Sequence, residues 1–211
     1  MQMGNEAVAR LSVLCPGCPL RGFLYVMSQN DALIVCGDMG CDRVTRVTLP
    51  SVTEGVEDKK VFGVVSASAF VRSGLTSVAY EKGKLIPVVF DNFATEESLL
   101  GEDALTELGY RTVITVDPQD LTAMQNAVEE ALESENSVAI IARRPCLRGK
   151  RPVGLCEVDV YRCLGCKKCL RAACPALRMQ DGKSKIDPSL CVGCTVCAQI
   201  CPVDAILKRN L

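Results

Sequence analysis

The sequence predicts an α/β fold in which a parallel sheet with flanking helices is followed by a small α+β domain. Two observations support this prediction. Apolar runs of strand length alternate with helical patterns up to residue 142, and short segments dense in cysteine fill the rest of the chain. The basic, proline-containing stretch at 143–152 is typical of a linker. We therefore expect one domain over residues 1–150 and a second over residues 151–211.

The strands of the first domain are predicted from a set of apolar runs. Helices cover both faces of a parallel sheet, so its strands are expected to be apolar throughout rather than alternating. The runs lie at residues 32–35, 61–65, 85–90, 111–116 and 138–141. Helical patterns lie between them, and such alternation implies a parallel sheet with helices on both faces.

The clearest helical pattern covers residues 120–133. Its apolar residues recur at spacings of three and four, which places them on one face: Leu121, Met124, Val128 and Leu132. Asp120 is expected to be the N-cap, because a side-chain oxygen there can accept from the first turn. Met124 is interpreted as part of the core rather than as a metal ligand.

The composition excludes several classes of function. The chain has 211 residues, 14 cysteines and no histidine or tryptophan. Without histidine there can be no Ser-His-Asp or Cys-His catalytic pair, His-ligated haem, Rieske centre or His-containing zinc site. The formal net charge is −1, so no nucleic-acid partner is expected. The basic residues at 162–171 are interpreted either as solvated charges or as a docking site for an acidic partner.

The cysteines are expected to bind metal rather than to form disulfides. The start of the chain lacks the apolar core of a signal peptide. No stretch approaches the roughly 18 apolar residues of a membrane span. We therefore expect a cytoplasmic protein, in which thiols stay reduced and clustered cysteines hold metals or carry out redox chemistry.

An internal repeat organises the second domain. The segment CLGCKKCLRAACP at 163–175 is echoed by CVGCTVCAQICP at 191–202, which begins 28 residues later. Each copy has the pattern C-x2-C-x2-C followed by Cys-Pro. This pattern is typical of ferredoxin-like domains with two [4Fe–4S] clusters, in which the cysteine before proline binds the cluster of the other copy. The first copy has one extra residue before its Cys-Pro, an insertion that a loop should tolerate.

The repeat assigns four ligands to each of two [4Fe–4S] clusters. The predicted ligands of cluster I are Cys163, Cys166, Cys169 and Cys201. The predicted ligands of cluster II are Cys191, Cys194, Cys197 and Cys174. Zinc is the alternative metal, but zinc sites use ligands in two pairs, whereas triplets recur here. Every iron atom of the two clusters would have a cysteine ligand, which leaves no iron atom free to bind an organic substrate. The expected function of this domain is therefore electron transfer.

A third [4Fe–4S] cluster is predicted in the first domain. Cys15 and Cys18 lie two residues apart in the turn LCPGCP. Cys41 follows the first predicted strand and Cys146 the last, and loops after parallel strands meet at one edge of the sheet. These four thiols are therefore the predicted ligands of cluster III. Cys36 is the alternative to Cys41. The remaining cysteine, at position 156, is expected to be structural.

Several short sequence motifs are distributed along nearly the whole chain. They are LCPGCPLRG (14–22), CGDMGC (36–41), FVRSG (70–74), VVFDN (88–92), VDPQDL (116–121), IARRPC (141–146) and the cysteine-rich tail. With these motifs the chain resembles the C-terminal part of the large (alpha) subunit of indolepyruvate:ferredoxin oxidoreductase, in the 2-oxoacid:ferredoxin oxidoreductase superfamily. The resemblance implies that the first domain has the fold of a thiamine-diphosphate-binding domain.

The sequence departs from this family at the cofactor site. The family has a Gly-Asp-Ser or Gly-Asp-Gly turn whose Asp binds the Mg²⁺ of the cofactor. Here the turn at 66–68 reads Ser-Ala-Ser, and Ala67 cannot coordinate a metal. Asn92 remains where the family has its second ligand, whereas Leu20 and Arg72 stand where histidine is usual. The departures imply a vestigial site that binds neither thiamine diphosphate nor Mg²⁺.

These observations predict an iron–sulfur electron-transfer subunit of a larger anaerobic oxidoreductase complex. Its expected partners are other subunits of that complex, soluble ferredoxin or both, in a hetero-oligomer. The alternative is a catalytic half-subunit of a thiamine-diphosphate-dependent 2-oxoacid:ferredoxin oxidoreductase, which the retained Asp91 and Asn92 favour. A third possibility is a site for another small ligand, lined by Ser66, Ser68 and Ser73.

Overall fold

The computed structural model gives the arrangement of most of both predicted domains. It describes residues 14–29, 34–37, 61–67, 70, 85–92, 101–147, 152 and 154–209. The elements are α1 (Leu20–Met27), β1 (Ile34–Gly37), β2 (Val61–Ser66), β3 (Leu85–Asp91), α2 (Glu102–Glu107), β4 (Thr112–Val116), α3 (Leu121–Glu133), β5 (Val138–Arg143), β6 (Leu155–Val158), a 3₁₀ helix (Lys168–Ala172), β7 (Leu177–Gln180), β8 (Lys183–Ile186), α4 (Val196–Gln199) and β9 (Ile206–Arg209).

Strands β1 to β5 form one sheet in the order β1-β2-β3-β5-β4. All the strand pairs of this sheet are parallel. The central strand is β3, where Val88 pairs with Val64 of β2 and with Ile140 of β5. The predicted parallel α/β fold is therefore confirmed.

Each strand of this sheet overlaps one predicted apolar run but differs from it at one end or both. The last strand continues past the predicted end at residue 141 to Arg143. Its extension has a physical cause, because Arg143 Nε donates to Asp91 Oδ2 over 3.1 Å at the end of the neighbouring β3. The first residue of the predicted linker thus belongs to the sheet.

Helices cover both faces of the sheet, as the alternation of elements predicted. On one face, α1 and α3 pack against β2, β3 and β5, and Phe23 meets Phe90 edge to face at 5.5 Å. On the other face, Leu105 of α2 and the adjacent Tyr110 pack against Val89. Burial on both faces explains why these strands are apolar throughout.

Helix α3 follows the predicted pattern. Asp120 caps it, since its Oδ1 accepts from the backbone N–H of Ala123 over 3.0 Å. The apolar face packs into the core through Leu121, Met124 and Val128, with Leu132 partly buried beside them. Met124 is a core residue, as expected. Across the part of the chain that the structure describes, no helix is long and apolar enough to cross a membrane.

The second domain is built from two short antiparallel pairs, β6 with β9 and β7 with β8. Its 3₁₀ helix and α4 pack on the same sheet face as α1. Ala172, Val196 and Ile200 belong to the core cluster that also contains Phe23 and Met124. The two predicted domains therefore share buried surface, while the boundary at residue 150 stays a prediction.

Candidate iron–sulfur sites

A cavity in the second domain brings together four cysteines from both copies of the repeat. This cavity is named cavity I, and all the residues that line it belong to the second domain. Its cysteines are those assigned to cluster I: Cys163, Cys166, Cys169 and Cys201. The rest of its wall is almost entirely apolar: Leu164, Pro202, Val203, Ala205 and Ile206, with Ser184 as the polar exception.

Hydrogen-bond donors surround the sulfur atoms of cavity I. The backbone N–H of Ala205 lies 3.3 Å from Cys201 Sγ, and that of Gly165 lies 3.5 Å from Cys163 Sγ. The Ser184 hydroxyl is 3.1 Å from Cys169 Sγ. Hydrogen bonding by the backbone N–H of Ser184 lowers the pKa of Cys163. Such donors favour the thiolate form, which is the form that binds iron.

A second cavity, cavity II, lies between the second domain and the turn near the start of the chain. Its wall contains the cysteines assigned to cluster II: Cys174, Cys191, Cys194 and Cys197. The other residues lining it are Pro16, Gly17, Cys156, Ala176, Leu177, Ile186 and Val192. Cys174 comes from the first copy of the repeat, so the ligand exchange predicted from the spacing is geometrically available.

Cys156 is a fifth cysteine in the wall of cavity II. Its side chain is buried, and its backbone N–H donates to Cys191 Sγ over 3.3 Å. The interaction with Cys191 lowers the pKa of Cys156, but interaction with Cys197 and burial outweigh it and raise that pKa to about 11. Interaction with Cys156 and burial raise the pKa of Cys191. Cys156 is thus a buried thiol beside the cavity.

The two copies of the repeat share an unusual backbone. Gly165 and Gly193 occupy equivalent positions and have φ values of +66° and +69°. Lys167 and Thr195 are also equivalent, with φ values of +65° and +64°. A left-handed residue at the same two positions turns each C-x2-C-x2-C loop in the same way. The repeat in the sequence is therefore a repeat of structure.

Three of the four residues predicted to bind cluster III are described. Cys15 is exposed and Cys18 is half-buried, in a turn closed by the Cys18 N–H donating to the Cys15 carbonyl over 3.1 Å. Half-buried Cys146 donates its N–H to the carbonyl of Asn92 over 3.0 Å. Its neighbour Leu147 packs against Gly17, between the first two cysteines. The loop after β5 therefore reaches the CPGC turn.

The remaining residue of that set lies outside the described part of the chain. That residue is Cys41, and its predicted alternative, Cys36, lies in β1. Among the described residues, no three histidine, cysteine or carboxylate side chains converge closely enough to hold a single metal ion. A cubane does not require this, because its four thiolates bind four separate iron atoms.

At the predicted vestigial thiamine-diphosphate site, the position of the metal-binding Asp is a buried alanine and the nearby carboxylate already forms an ion pair. Ala67 is 1% exposed and packs in the core cluster that contains Val65 and Phe70. Asp91 is completely buried and paired with Arg143. The half-buried Asn92 uses its carbonyl to hold the loop that carries Cys146. Ser68 and Ser73, candidates for another ligand site, lie outside the described residues.

Long-range contacts that sequence reasoning missed tie the CPGC turn to cavity II. Gln119 donates to the carbonyl of Gly17 over 2.7 Å. Gln199 of α4 accepts from the N–H of Leu121 over 2.9 Å and donates to the carbonyl of Gln119 over 2.8 Å. The buried guanidinium of Arg21 donates to the carbonyl of Cys15 in the CPGC turn and to that of Ala172 in the 3₁₀ helix. The motifs VDPQDL and LCPGCPLRG contain most of these residues, but nothing in their spacing indicates the contacts.

Comparison with known proteins places these sites in context. A family model described as "4Fe-4S binding domain" matches residues 184–207. The indolepyruvate oxidoreductase subunit IorA of Methanothermobacter marburgensis is 27% identical over 95% of this chain and 40% of the relative, and that of Thermococcus kodakarensis is 31% identical over 91% and 40%. A protein of the ion-translocating oxidoreductase complex of Methanosarcina acetivorans is 41% identical over 29% of this chain and 23% of that relative.

The similarity to the IorA proteins extends across both predicted domains. The chain spans about 40% of the length of these curated relatives. The matched family model covers the second copy of the cysteine repeat, including all four cysteines between residues 191 and 201. The chain is therefore a homologue of the C-terminal part of the indolepyruvate oxidoreductase subunit IorA and contains a 4Fe–4S binding domain.

Proposed function

We propose that this chain is an electron-transfer subunit that relays electrons through three [4Fe–4S] clusters to or from a partner protein. One observation carries the proposal: the walls of two largely apolar cavities each contain four cysteines of the repeat, drawn from both of its copies. When bound, a [4Fe–4S] cluster takes up and releases single electrons. The cysteines of this chain would hold such a cluster, and its backbone would supply N–H donors to the sulfur ligands.

The eight cysteines of the repeat in these cavity walls are the proposed ligands of clusters I and II, as assigned from the spacing. Cluster III is proposed at Cys15, Cys18, Cys146 and Cys41, with Cys36 as the alternative to Cys41. Contact between Leu147 and Gly17 supports this, because it brings the loop of Cys146 to the CPGC turn. Cavity II borders the same turn, so the clusters would follow one another in the order III, II, I.

We also propose that the thiamine-diphosphate site has been lost. The position of the metal-binding Asp is a buried alanine among apolar side chains, where an ionised carboxylate would be strongly destabilised. The nearby carboxylate of Asp91 is paired with Arg143. The catalytic half-subunit remains the second candidate, because Asp91 and Asn92 are retained and the relatives are named as subunits of an indolepyruvate oxidoreductase.

The surface beside cavity I fits an acidic electron carrier. Cys166 is exposed there, and Tyr161 and Leu164 are 96% and 67% exposed. The surrounding basic side chains form no ion pairs among the described residues: Arg162, Lys167, Lys168 and Arg171. Complementary charge steers such partners together. A soluble ferredoxin is the proposed partner here, and the other subunits of a cytoplasmic hetero-oligomeric complex are proposed to bind elsewhere.

Iron analysis of the anaerobically purified chain tests the cluster count. We expect about 12 iron atoms per chain, since each of three cubanes holds four. Cys146→Ser should lower the content to about eight and leave the signals of clusters I and II unchanged. Cys156→Ser is the matched control, because the buried Cys156 is no proposed ligand, and it should retain all the iron. About eight atoms in the unmodified chain would exclude cluster III.

Cofactor extraction tests the loss of the thiamine site. Protein purified under the same conditions should release no thiamine diphosphate on acid extraction and chromatography. The variant Ala67→Asp alone should not restore binding, because the carboxylate would enter an apolar core. Stoichiometric thiamine diphosphate in the unmodified chain would contradict the proposal and favour the catalytic half-subunit.

A further inference from the structure

A buried arginine lies between the proposed ligands of clusters III and II. Arg21 is the second residue of α1 and is 2% exposed. Its guanidinium donates over 2.8 Å and 2.9 Å to the carbonyls of Leu14 and Cys15, in the CPGC turn. On the other side it donates over 2.6 Å to the carbonyl of Ala172, two residues before Cys174. One side chain thus links the two cysteine loops.

The charge of Arg21 has no carboxylate partner among the described residues. Its three acceptors are neutral carbonyls, and Nε has no hydrogen-bond partner in the described structure. Arginine stays protonated in proteins, so a full positive charge is buried here. Burying an uncompensated charge is strongly unfavourable. Packing alone therefore does not account for an arginine at this position.

The position of cavity II supplies a reason for that charge. The two carbonyls that Arg21 contacts lie on either side of this cavity, because Cys15 is next to Pro16 in its wall and Ala172 is two residues before Cys174. A [4Fe–4S] cluster with four thiolates carries a net negative charge, which grows when the cluster accepts an electron. A nearby buried cation stabilises the reduced form, because the interaction is only weakly screened inside the protein.

We propose that Arg21 is a positioning residue that fixes the CPGC turn against cavity II and makes clusters II and III easier to reduce. The inference rests on the proposed function, since it requires iron–sulfur clusters at these loops. Arg21 itself binds no iron. Its fork geometry sets the separation of the two loops through carbonyl groups, and its charge acts on both clusters through space.

Potentiometric titration followed by electron paramagnetic resonance tests this role in the full chain. Arg21→Gln removes the charge, and we expect the midpoint potentials of clusters II and III to move to more negative values. Arg21→Lys keeps the charge, so its potentials should lie closer to those of the unmodified chain. Cluster I is the internal reference, because it has its own cavity, and its potential should not move. Gln199→Ala removes neutral hydrogen bonds between α4 and residues 119 and 121, and it should leave all the potentials unchanged.

The possible outcomes distinguish a failure of the role proposed for Arg21 from a failure of the proposed function. Arg21→Gln with full iron content and unchanged potentials would overturn the electrostatic role. Loss of iron in Arg21→Lys as well as Arg21→Gln would also overturn it and leave Arg21 with a purely structural role. If the unmodified chain holds only about eight iron atoms, cluster III fails but cluster II still reports on Arg21.

Discussion

Gly17 shows at the scale of one residue how the CPGC turn fits against cavity II. Its φ is +68°, in the left-handed region that glycine adopts readily. A Cβ added there would lie 2.3 Å from Cγ2 of Val192 and 3.1 Å from Cδ1 of Leu147. The close approach lets the turn contact a loop of the second domain and the loop that carries Cys146. The glycine of this motif therefore has a packing role as well as a conformational one.

Replacing this glycine should destabilise the protein. We expect Gly17→Ala to lower the free energy of unfolding by about 1–2 kcal/mol from the left-handed backbone alone, with a further steric loss against Val192. Chemical denaturation of the iron-loaded protein measures the change. The double variant Gly17→Ala/Val192→Ala should be less stable than Val192→Ala only by the backbone contribution, because the shortened side chain at position 192 removes the steric clash. Equal stability of Gly17→Ala and the unmodified chain would contradict this explanation.

The spacing of the cysteines predicts which of them lie together, but it does not predict which other residues connect the two cysteine loops. The grouping of Cys163 with Cys201, and of Cys174 with Cys191, follows from the repeat and agrees with the walls of the two cavities. Iron binding itself stays a prediction. Arg21 could not be assigned a role from sequence, because its contact with Ala172 joins residues 151 positions apart.

Helices and strands also differ in whether their ends are set by local sequence or by tertiary contacts. Helix α3 could be predicted almost to its ends, because its cap and apolar period are encoded within it. Strand β5 could not, since its last residue is held by Asp91 of another strand. The contacts of α4 with residues 119 and 121 could not be predicted either, because Gln199 is an ordinary polar residue in the sequence. Tertiary contacts, rather than local propensity, set these boundaries.

The cap of α3 gives a prediction at this scale. Asp120→Ala removes the acceptor for the Ala123 N–H and should lower the free energy of unfolding by about 1 kcal/mol. Asp120→Asn is the matched control, because its side-chain oxygen can still accept that hydrogen bond. Denaturation of both variants against the unmodified chain provides the measurement. An equal loss in the two variants would show that charge, rather than capping, is responsible.

At the scale of the whole molecule, the two predicted domains are joined by a common core. Ala172, Val196 and Ile200 of the second domain pack with residues of α1 and α3. Gln199 adds two hydrogen bonds, one to Gln119 before α3 and one to Leu121, the first residue of α3. The walls of cavity II contain residues of both domains. A change in the iron–sulfur region should therefore be transmitted to the sheet through these contacts.

Removal of iron should accordingly destabilise the sheet as well as the second domain. Metal binding stabilises the folded state that supplies the ligands, and the 3₁₀ helix and α4 each carry one or more proposed ligands. Once these elements loosen, the face of the sheet beneath them loses apolar cover. We expect chelation of iron to speed hydrogen exchange in β4 and α3, far from any proposed ligand in the sequence.

A variant of Gln199 tests whether the shared surface transmits this effect. Gln199→Ala removes the hydrogen bonds to Gln119 and Leu121 but leaves all the cysteines in place, so full iron content is expected. In this variant, exchange in α3 should already be faster with iron bound, and chelation should increase it by a smaller factor than in the unmodified chain. Exchange in α3 that does not respond to chelation in the unmodified chain would instead show that the sheet is stable without the iron–sulfur domain.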